Sequence, residues 1–154
     1  MAKSCQQLVV EKALERLETI PAVETAEGAY QPVKVELNRR IPLTEDDLPS
    51  IVLFKQPAVP LNDFSSEDAY DQPFVVQGAV KGSGAVAEEF ANTLEAECIK
   101  ALFTDRTLGG RVRMLELSDT GDFLGAEVPA ETEGFMFGFR VHYATREGDP
   151  FTFE

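Results

Sequence analysis

The sequence predicts an α+β protein in which a single mostly antiparallel or mixed β-sheet packs against two main helices. Apolar side chains occupy every second position of Phe135–Tyr143, which is typical of a strand with one buried face. In Leu8–Ile20 and Val86–Phe103 they recur every three or four positions, which is typical of amphipathic helices. The predicted order α-β-β-β-α-β-β places strands on both sides of the second helix and argues against a doubly wound parallel sheet.

The first half of the chain supplies the first helix and two strands. Ser4 is placed to cap the start of the helix, and Pro21 is placed to end it. After a predicted loop over Ala22–Gly28, apolar residues alternate with polar ones in Val33–Leu37, which indicates a half-exposed strand. A proline-containing acidic connection then leads into Ser50–Lys55, where a short continuous apolar run predicts an interior strand.

The second half alternates long loops with strands. Pro57–Gln72 contains proline, asparagine and serine with few periodic apolar residues, so we predict a long loop of the kind that often carries function. Phe74–Val80 predicts a strand, and glycines at 82 and 84 separate it from the second helix. Val112–Leu117 predicts another strand, and an acidic loop over Ser118–Gly134 follows it.

The phenylalanine-rich strand has two different faces. One face is uniformly apolar, whereas the other carries Met136, Gly138, Arg140 and His142, so we expect that second face to meet a wetter layer or a partner.

A chain of 154 residues fits one domain, 1–154, that buries roughly 68–70% of its unfolded surface. From about residue 147 we predict a short polar tail that forms no further element.

Charge and cysteine content narrow the function classes. The 27 acidic and 14 basic residues leave a formal net charge of −13, which disfavours tight nucleic-acid binding but suits a surface that DNA slides past. Cys5 and Cys98 lie 93 residues apart without metal-binding spacing, and we predict that both stay reduced. No signal-peptide pattern and no apolar run of about 18 residues is present, so we expect a cytoplasmic, soluble protein without a membrane partner.

The sequence predicts no catalytic, cofactor-binding or metal-binding residues, and therefore no enzyme. A G-x-G-x-x-A run begins at Gly82, but Glu116 follows it by 34 residues where a ribose-binding carboxylate is expected about 20 residues on. His142 is the only histidine, and no nucleophile motif accompanies it, so we interpret it as a strand residue near Arg140. The acidic runs Glu45–Asp47 and Asp119–Glu133 lack calcium-loop spacing and predict solvated loops.

Several segments together resemble one protein family. They are the helix containing Ala13–Leu17, the acidic Glu45–Pro49 that leads into Ile51–Phe54, the strand and helix of Phe74–Phe103, and the closing Val141–Pro150. In this arrangement the chain is similar to the tail terminators of long-tailed bacteriophages, of the lambda minor tail protein U type, whose relatives include minor tail and tail completion proteins. The resemblance covers most of the chain.

The resemblance implies an α+β protomer with a structural role and no chemistry. Such protomers assemble as a homohexameric ring on the end of the finished tail tube, stop its polymerisation and present the surface that joins the head. The implied partners are other copies of the chain, the tail tube protein and the head-completion (neck) protein, while DNA passes through the ring without specific binding. The implied location is the cytoplasm of the bacterial host during assembly and then the virion tail.

Basic residues in an acidic chain are the candidates for contacts between subunits. Two of them alternate on one predicted strand, one lies on the mixed face of the phenylalanine-rich strand, and one begins the tail. We expect them to pair with carboxylates of a neighbour, or alternatively within the subunit. The candidate interface residues are Arg111, Arg113, Arg140, Arg146, Asp46, Asp47 and Asp149.

Two other functions stay open from the sequence. One is a small cytoplasmic ligand-binding domain or enzyme with a pocket under the second helix, and the other is a different neck or tail-completion component. A ring, or a strong tendency to oligomerise, favours the structural functions. A monomer with a deep apolar pocket lined by polar groups favours the ligand-binding one.

Overall fold

Two helices lie on one face of a mixed seven-stranded sheet, so the predicted α+β class is confirmed. The computed structural model describes residues 2–20, 23–24, 30–61 and 67–154. The helices are α1 (Cys5–Glu18) and α2 (Ala85–Phe103). The strands are β1 (Val23–Glu24), β2 (Tyr30–Gln31), β3 (Lys34–Leu37), β4 (Ser50–Lys55), β5 (Val59–Leu61), β6 (Glu67–Lys81), β7 (Met114–Ser118), β8 (Thr132–Arg146) and β9 (Asp149–Phe153).

The sheet is built around two long antiparallel strands. β6 and β8 pair along their whole lengths, from Glu67 opposite Arg146 to Lys81 opposite Thr132. The strand order is β3-β4-β6-β8-β7, in which only β3 and β4 are parallel, while β5 adds to β6 and β9 adds to β8. β4 and β5 therefore share one side of the ribbon, and β7 and β9 share the other. β1 and β2 form a separate two-stranded ladder.

The main core lies between the sheet and the helices. The apolar face of β8 points into it, as the alternation predicts, with Phe139, Val141 and Tyr143 buried and the first two phenylalanines half-buried. The ring of Phe139 stacks on that of Phe74 at a centroid distance of 4.9 Å. On the helix side of this core, both helices contribute buried residues at helical spacing. They are Cys5, Val9, Val10, Ala13 and Leu17 of α1 and Ala91, Leu94, Cys98 and Leu102 of α2.

Local signals explain where the helices begin. The Ser4 side chain accepts a hydrogen bond from the Gln7 amide, and the Gln7 side chain accepts one from the Ser4 amide, which confirms the predicted cap as a reciprocal capping box. α2 begins after Gly84, whose φ of 92° suits glycine. Pro21 and most of the predicted loop over Ala22–Gly28 lie outside the described residues, apart from the short β1 strand.

A second, smaller core lies on the opposite face of the sheet. There the segments 39–49 and 119–131 cover Val52, Phe54, Val75 and neighbouring apolar residues. Segment 119–131 carries no regular secondary structure, as predicted, and β8 begins only at Thr132. It is nevertheless held firmly, because the Gln77 side chain accepts from the Ala126 amide at 2.7 Å and donates to the Ala126 carbonyl at 2.8 Å.

Two predictions about loops are wrong. Pro57–Gln72 is not a continuous loop, because β5 and the first residues of β6 pair with each other there and β6 continues against β8. Residues 62–66 of that prediction lie outside the described part. The tail after residue 147 also forms an element, since the chain turns at Gly148 and β9 pairs with β8. Its Phe153 ring packs edge-on against Tyr143 at 6.3 Å, and this contact stabilises the strand.

Candidate assembly surface

Exposed apolar side chains are concentrated on strands at the borders of the sheet. Within the described part of the chain, β3, β5, β7 and β9 each pair with one neighbouring strand only. Sheet edges are usually protected by charge or by proline, because their free backbone groups can pair with another chain. Here six side chains on these strands are at least 40% exposed: Leu37, Val59, Leu61, Met114, Leu117 and Phe151. These borders are therefore suited to contact with another polypeptide.

Arg140, a predicted interface residue, is already engaged within the subunit. Its Nε lies 2.8 Å from Glu116 Oε1 and its guanidinium 3.7 Å from Asp71. His142 approaches the same two carboxylates, with Nε2 3.0 Å from Glu116 Oε1 and Nδ1 3.8 Å from Asp71 Oδ1. We call Asp71, Glu116, Arg140 and His142 the polar cluster. The hydrogen bonds from His142 and then Arg140 lower the pKa of Glu116.

The polar cluster lies on the sheet face away from the helices. Its members come from β6, β7 and β8, where Asp71 is opposite His142 and Glu116 is opposite Arg140. The sequence predicts a mixed, wetter second face for β8, and the structure fills it with this cluster at one end and the smaller core at the other. The Glu116 carboxylate is thus paired inside the protomer, as the alternative interpretation of the arginines requires, whereas the buried Asp71 Oδ1 has only ionic neighbours and no hydrogen bond in the described part.

Asp47 is likewise bound within the subunit. Its carboxylate lies 2.8 Å from Lys34 Nζ and 3.0 Å from an Arg39 guanidinium nitrogen, and it accepts a hydrogen bond from the Thr44 amide at 2.8 Å. The hydrogen bond from Lys34 is the largest cause of a pKa held well below the usual range for this carboxyl. Asp47 therefore fastens the connection before β4 and is a poor candidate for a contact with a neighbour.

The remaining predicted residues divide into two groups. A guanidinium nitrogen of Arg113 lies 2.5 Å from Glu67 Oε2. Arg146 lies near Asp149. The pKa of Asp149 is lowered chiefly by a hydrogen bond from the Thr152 side chain and also by this arginine. Besides Arg146 and Asp149, which form no direct ion pair, the half-buried Arg111 in the turn before β7 and the exposed Asp46 form none within the described part. These four residues keep their charges available for a neighbour.

The residues singled out for chemistry do not form a reactive constellation. Among the described residues, no group of three histidine, cysteine, aspartate or glutamate side chains is placed to hold a metal ion. Cys5 and Cys98 are buried and unpaired, and burial raises the pKa of Cys98 to about 12, which keeps it a thiol. None of the helices described has the length and apolar character needed to cross a membrane.

A groove beside the end of β3 is a feature that the sequence does not predict. It has a volume of about 330 Å³ and lies between the ends of β3 and β4 and segment 119–131. Phe54 and Phe123 pack against each other at 4.9 Å on its wall, and Leu124 at its rim is 89% exposed. Arg40 and Lys55 also line it. We call it the β3-end groove. In the sequence, the neighbouring Arg39 and Arg40 are the available signal for a basic surface here. Only the fold brings Lys55 to the same groove.

No protein-family model matches the sequence, and no curated protein is significantly similar to it.

Proposed function

We propose that this protein is a structural virion component that caps the bacteriophage tail tube as a homohexameric ring. The ring would end polymerisation of the tube and provide the surface that joins the head, in contact with the tail tube protein and a neck protein. The resemblance in the arrangement of the chain motivates this proposal. The observation that carries it is the concentration of exposed apolar side chains on the border strands of the sheet.

The position of these borders favours a ring over a simple dimer. β3 and β7 lie at opposite ends of the sheet order, so the two exposed edges are different surfaces of one protomer. A contact between two different surfaces, repeated with a suitable rotation, generates a closed ring. Met114 and Leu117 on β7, at 50% and 53% exposure, would lose their contact with water in such an assembly.

The charge of the chain is compatible with a DNA passage. Each protomer carries a formal net charge of −13, and segment 119–131 with the start of β8 contributes Asp119, Asp122, Glu127, Glu131 and Glu133. A passage lined by such residues would repel phosphates and let DNA move without adhering. The proposed location is the host cytoplasm during assembly and afterwards the virion tail.

A small-molecule binding domain is the second candidate function. The β3-end groove favours it, because its volume of about 330 Å³ lies at the lower end of the range for ligand pockets. The groove is open, and two of the three cations that line it, Arg40 and Lys55, form no ion pair in the described part, so it would suit an anionic ligand. A different neck or tail-completion component would share the ring and differ in the partner that it contacts.

The oligomeric state tests the proposed function directly. Sedimentation velocity and native mass spectrometry of the full chain, across protein concentration and ionic strength, should reveal a ring of six copies, either alone or on tail tubes. Leu117→Glu should weaken the ring, whereas Val128→Glu, which alters an exposed apolar residue in a loop, is the matched control. A strict monomer at high concentration and also with tail tubes would contradict the proposal.

A further inference from the structure

Most of the basic side chains are already used inside the protomer. Nine of them form ion pairs: Lys3, Lys12, Arg16, Lys34, Arg39, Lys81, Arg113, Arg140 and His142. In addition, Arg106 lies over the ring of Phe103, and Arg146 lies near Asp149. In the described part, the lysines and arginines without such a contact are Arg40, Lys55, Lys100 and Arg111. Two of these four, Arg40 and Lys55, line the same groove.

The β3-end groove presents these two cations on a fixed frame. Arg39, next to Arg40, is only 9% exposed, and its guanidinium bonds to Glu36 at 2.7 Å and to Asp47 at 3.0 Å. The Lys55 amide donates to the Asn38 side chain at 2.9 Å, which fixes the opposite wall. Arg40 and Lys55 thus extend from a rigid backbone beside the exposed side chain of Leu124. Such a surface fits a partner that offers carboxylates around a small apolar patch.

The outer face of α2 has the complementary chemistry. The exposed Glu88 and Glu89 and the half-buried Glu97 lie on one stripe of the helix, among small or uncharged residues that include Ala85 and Ala96. These three carboxylates form no ion pair within the described part of the chain. The alanines leave room for a protruding side chain such as Leu124 to approach the helix closely. We call these residues the α2 acidic stripe.

We propose that the β3-end groove of one copy receives the α2 acidic stripe of a second copy, and that this contact forms part of the head-to-tail interface of the ring, beside the exposed β3 and β7 edges. This inference rests on the proposed function. The groove lies at the β3 end of the sheet, whereas α2 packs over β6 and β8, so the two surfaces belong to different sides of the protomer. Segment 119–131 is a less suitable occupant, because it forms the wall of the same groove and is fastened there by Gln77.

Charge reversal on each surface tests this contact. Arg40→Glu/Lys55→Glu and Glu88→Lys/Glu89→Lys should each weaken self-association of the full chain about tenfold or more, because each places like charges opposite one another. A mixture of the two variants should restore assembly, since an alternating ring pairs opposite charges at every contact. The controls are Lys3→Glu/Lys81→Glu and Glu18→Lys/Glu147→Lys, which change the net charge equally at exposed positions outside both surfaces.

The measurements are sedimentation velocity and native mass spectrometry, on tail tubes if the ring forms only there, with thermal melts to show that each variant is folded. Assembly of all variants like the wild type would overturn this contact and leave the proposed ring intact. If only the groove variant fails to assemble and the mixture is not rescued, the groove binds something other than the α2 stripe. A wild-type chain that never assembles, even with tubes, would overturn both proposals.

Discussion

The carboxylate of Asp47 fastens the segment that delivers the chain into β4. It is only 12% exposed, and it joins Lys34 on β3 to Arg39 and to the Thr44 amide that opens the short 3₁₀ turn Glu45–Asp47. Because these partners favour the ionised form, the pKa of Asp47 is lowered in the folded protein. The same group therefore links local structure to the pH dependence of stability.

We expect Asp47→Asn to flatten the acid side of the stability profile. The folded-state pKa lies below the unfolded value of about 3.9, so ionised Asp47 stabilises the fold above that pH, and its contribution disappears as the pH falls towards the folded-state pKa. Urea midpoints measured from neutral pH down to about pH 2 should fall less steeply for this variant than for the wild type. Asp46→Asn, which removes no ion pair in the described part, is the control. Parallel profiles for wild type and Asp47→Asn would contradict this role.

The sequence could not predict which partners the charged residues choose. It presents Asp47 as an acidic loop residue available to a neighbour, but the parallel register that sets Lys34 opposite Ser50 places the lysine beside it. Arg113 and Glu67 are 46 residues apart and meet only because β6 pairs with β8 and β8 with β7. Charge pairs of this kind depend on long-range register, which composition and spacing do not encode.

At the scale of elements, β8 connects the two cores, and its phenylalanines are not equivalent. Phe139 is fully buried, and its ring stacks on that of Phe74. Phe137 is half-buried, and its ring centroid lies 6.1 Å from that of Phe135. Gly78, opposite Phe135, leaves the space that this ring fills, since a Cβ there would approach the ring to 2.1 Å. The strand is therefore fixed in register by ring-to-ring and ring-to-glycine contacts.

Phe139→Ala should lower the free energy of unfolding by about 3–5 kcal/mol, because it removes a fully buried ring from the main core. Phe137→Ala should cost less, since part of that side chain already contacts water. Phe151→Ala, at a side chain 54% exposed on β9, is the matched control and should change stability by about 0.5 kcal/mol or less. Urea denaturation of the three variants measures this. Equal tolerance at Phe139 and Phe151 would show that the register is wrong.

Elements with strong local periodicity could be predicted, and those defined by distant partners could not. The helical pattern over Val86–Phe103 gave α2 to within a residue, and the alternation in Phe135–Tyr143 gave the centre of β8. β5 was missed because Pro60 interrupts its pattern, although its pairing with Ala69–Asp71 forms regardless. β9 begins directly after the turn at Gly148. A glycine turn between two alternating segments is the sequence signal that indicates this strand.

At the scale of the whole molecule, other parts of the chain pack on both faces of the sheet, whereas its borders stay exposed. Helices cover one face of the sheet, loops cover half of the other, and apolar residues stay exposed at the borders. Segment 119–131, predicted as an acidic loop, belongs to the second core, because the Leu43 amide bonds to the Glu127 carbonyl at 2.8 Å in addition to the bonds from Gln77. Its carboxylates are thus displayed on a fixed surface, as the wall of a passage would require.

The net charge leads to a prediction about DNA. We expect no appreciable binding of the full chain to duplex DNA near physiological salt, because the four cations without a partner in the described part, Arg40, Lys55, Lys100 and Arg111, are too few to offset a net charge of −13. Fluorescence anisotropy with labelled duplex measures this. Replacing Asp119, Asp122 and Glu131 by their amides should still give no appreciable binding, because a neutralised loop offers no cations to phosphate. The control replaces the same three residues by arginine, and this variant should bind weakly and lose that binding as salt rises. A tight, salt-sensitive complex of the wild type would contradict a non-adhesive passage and with it one support for the proposed ring.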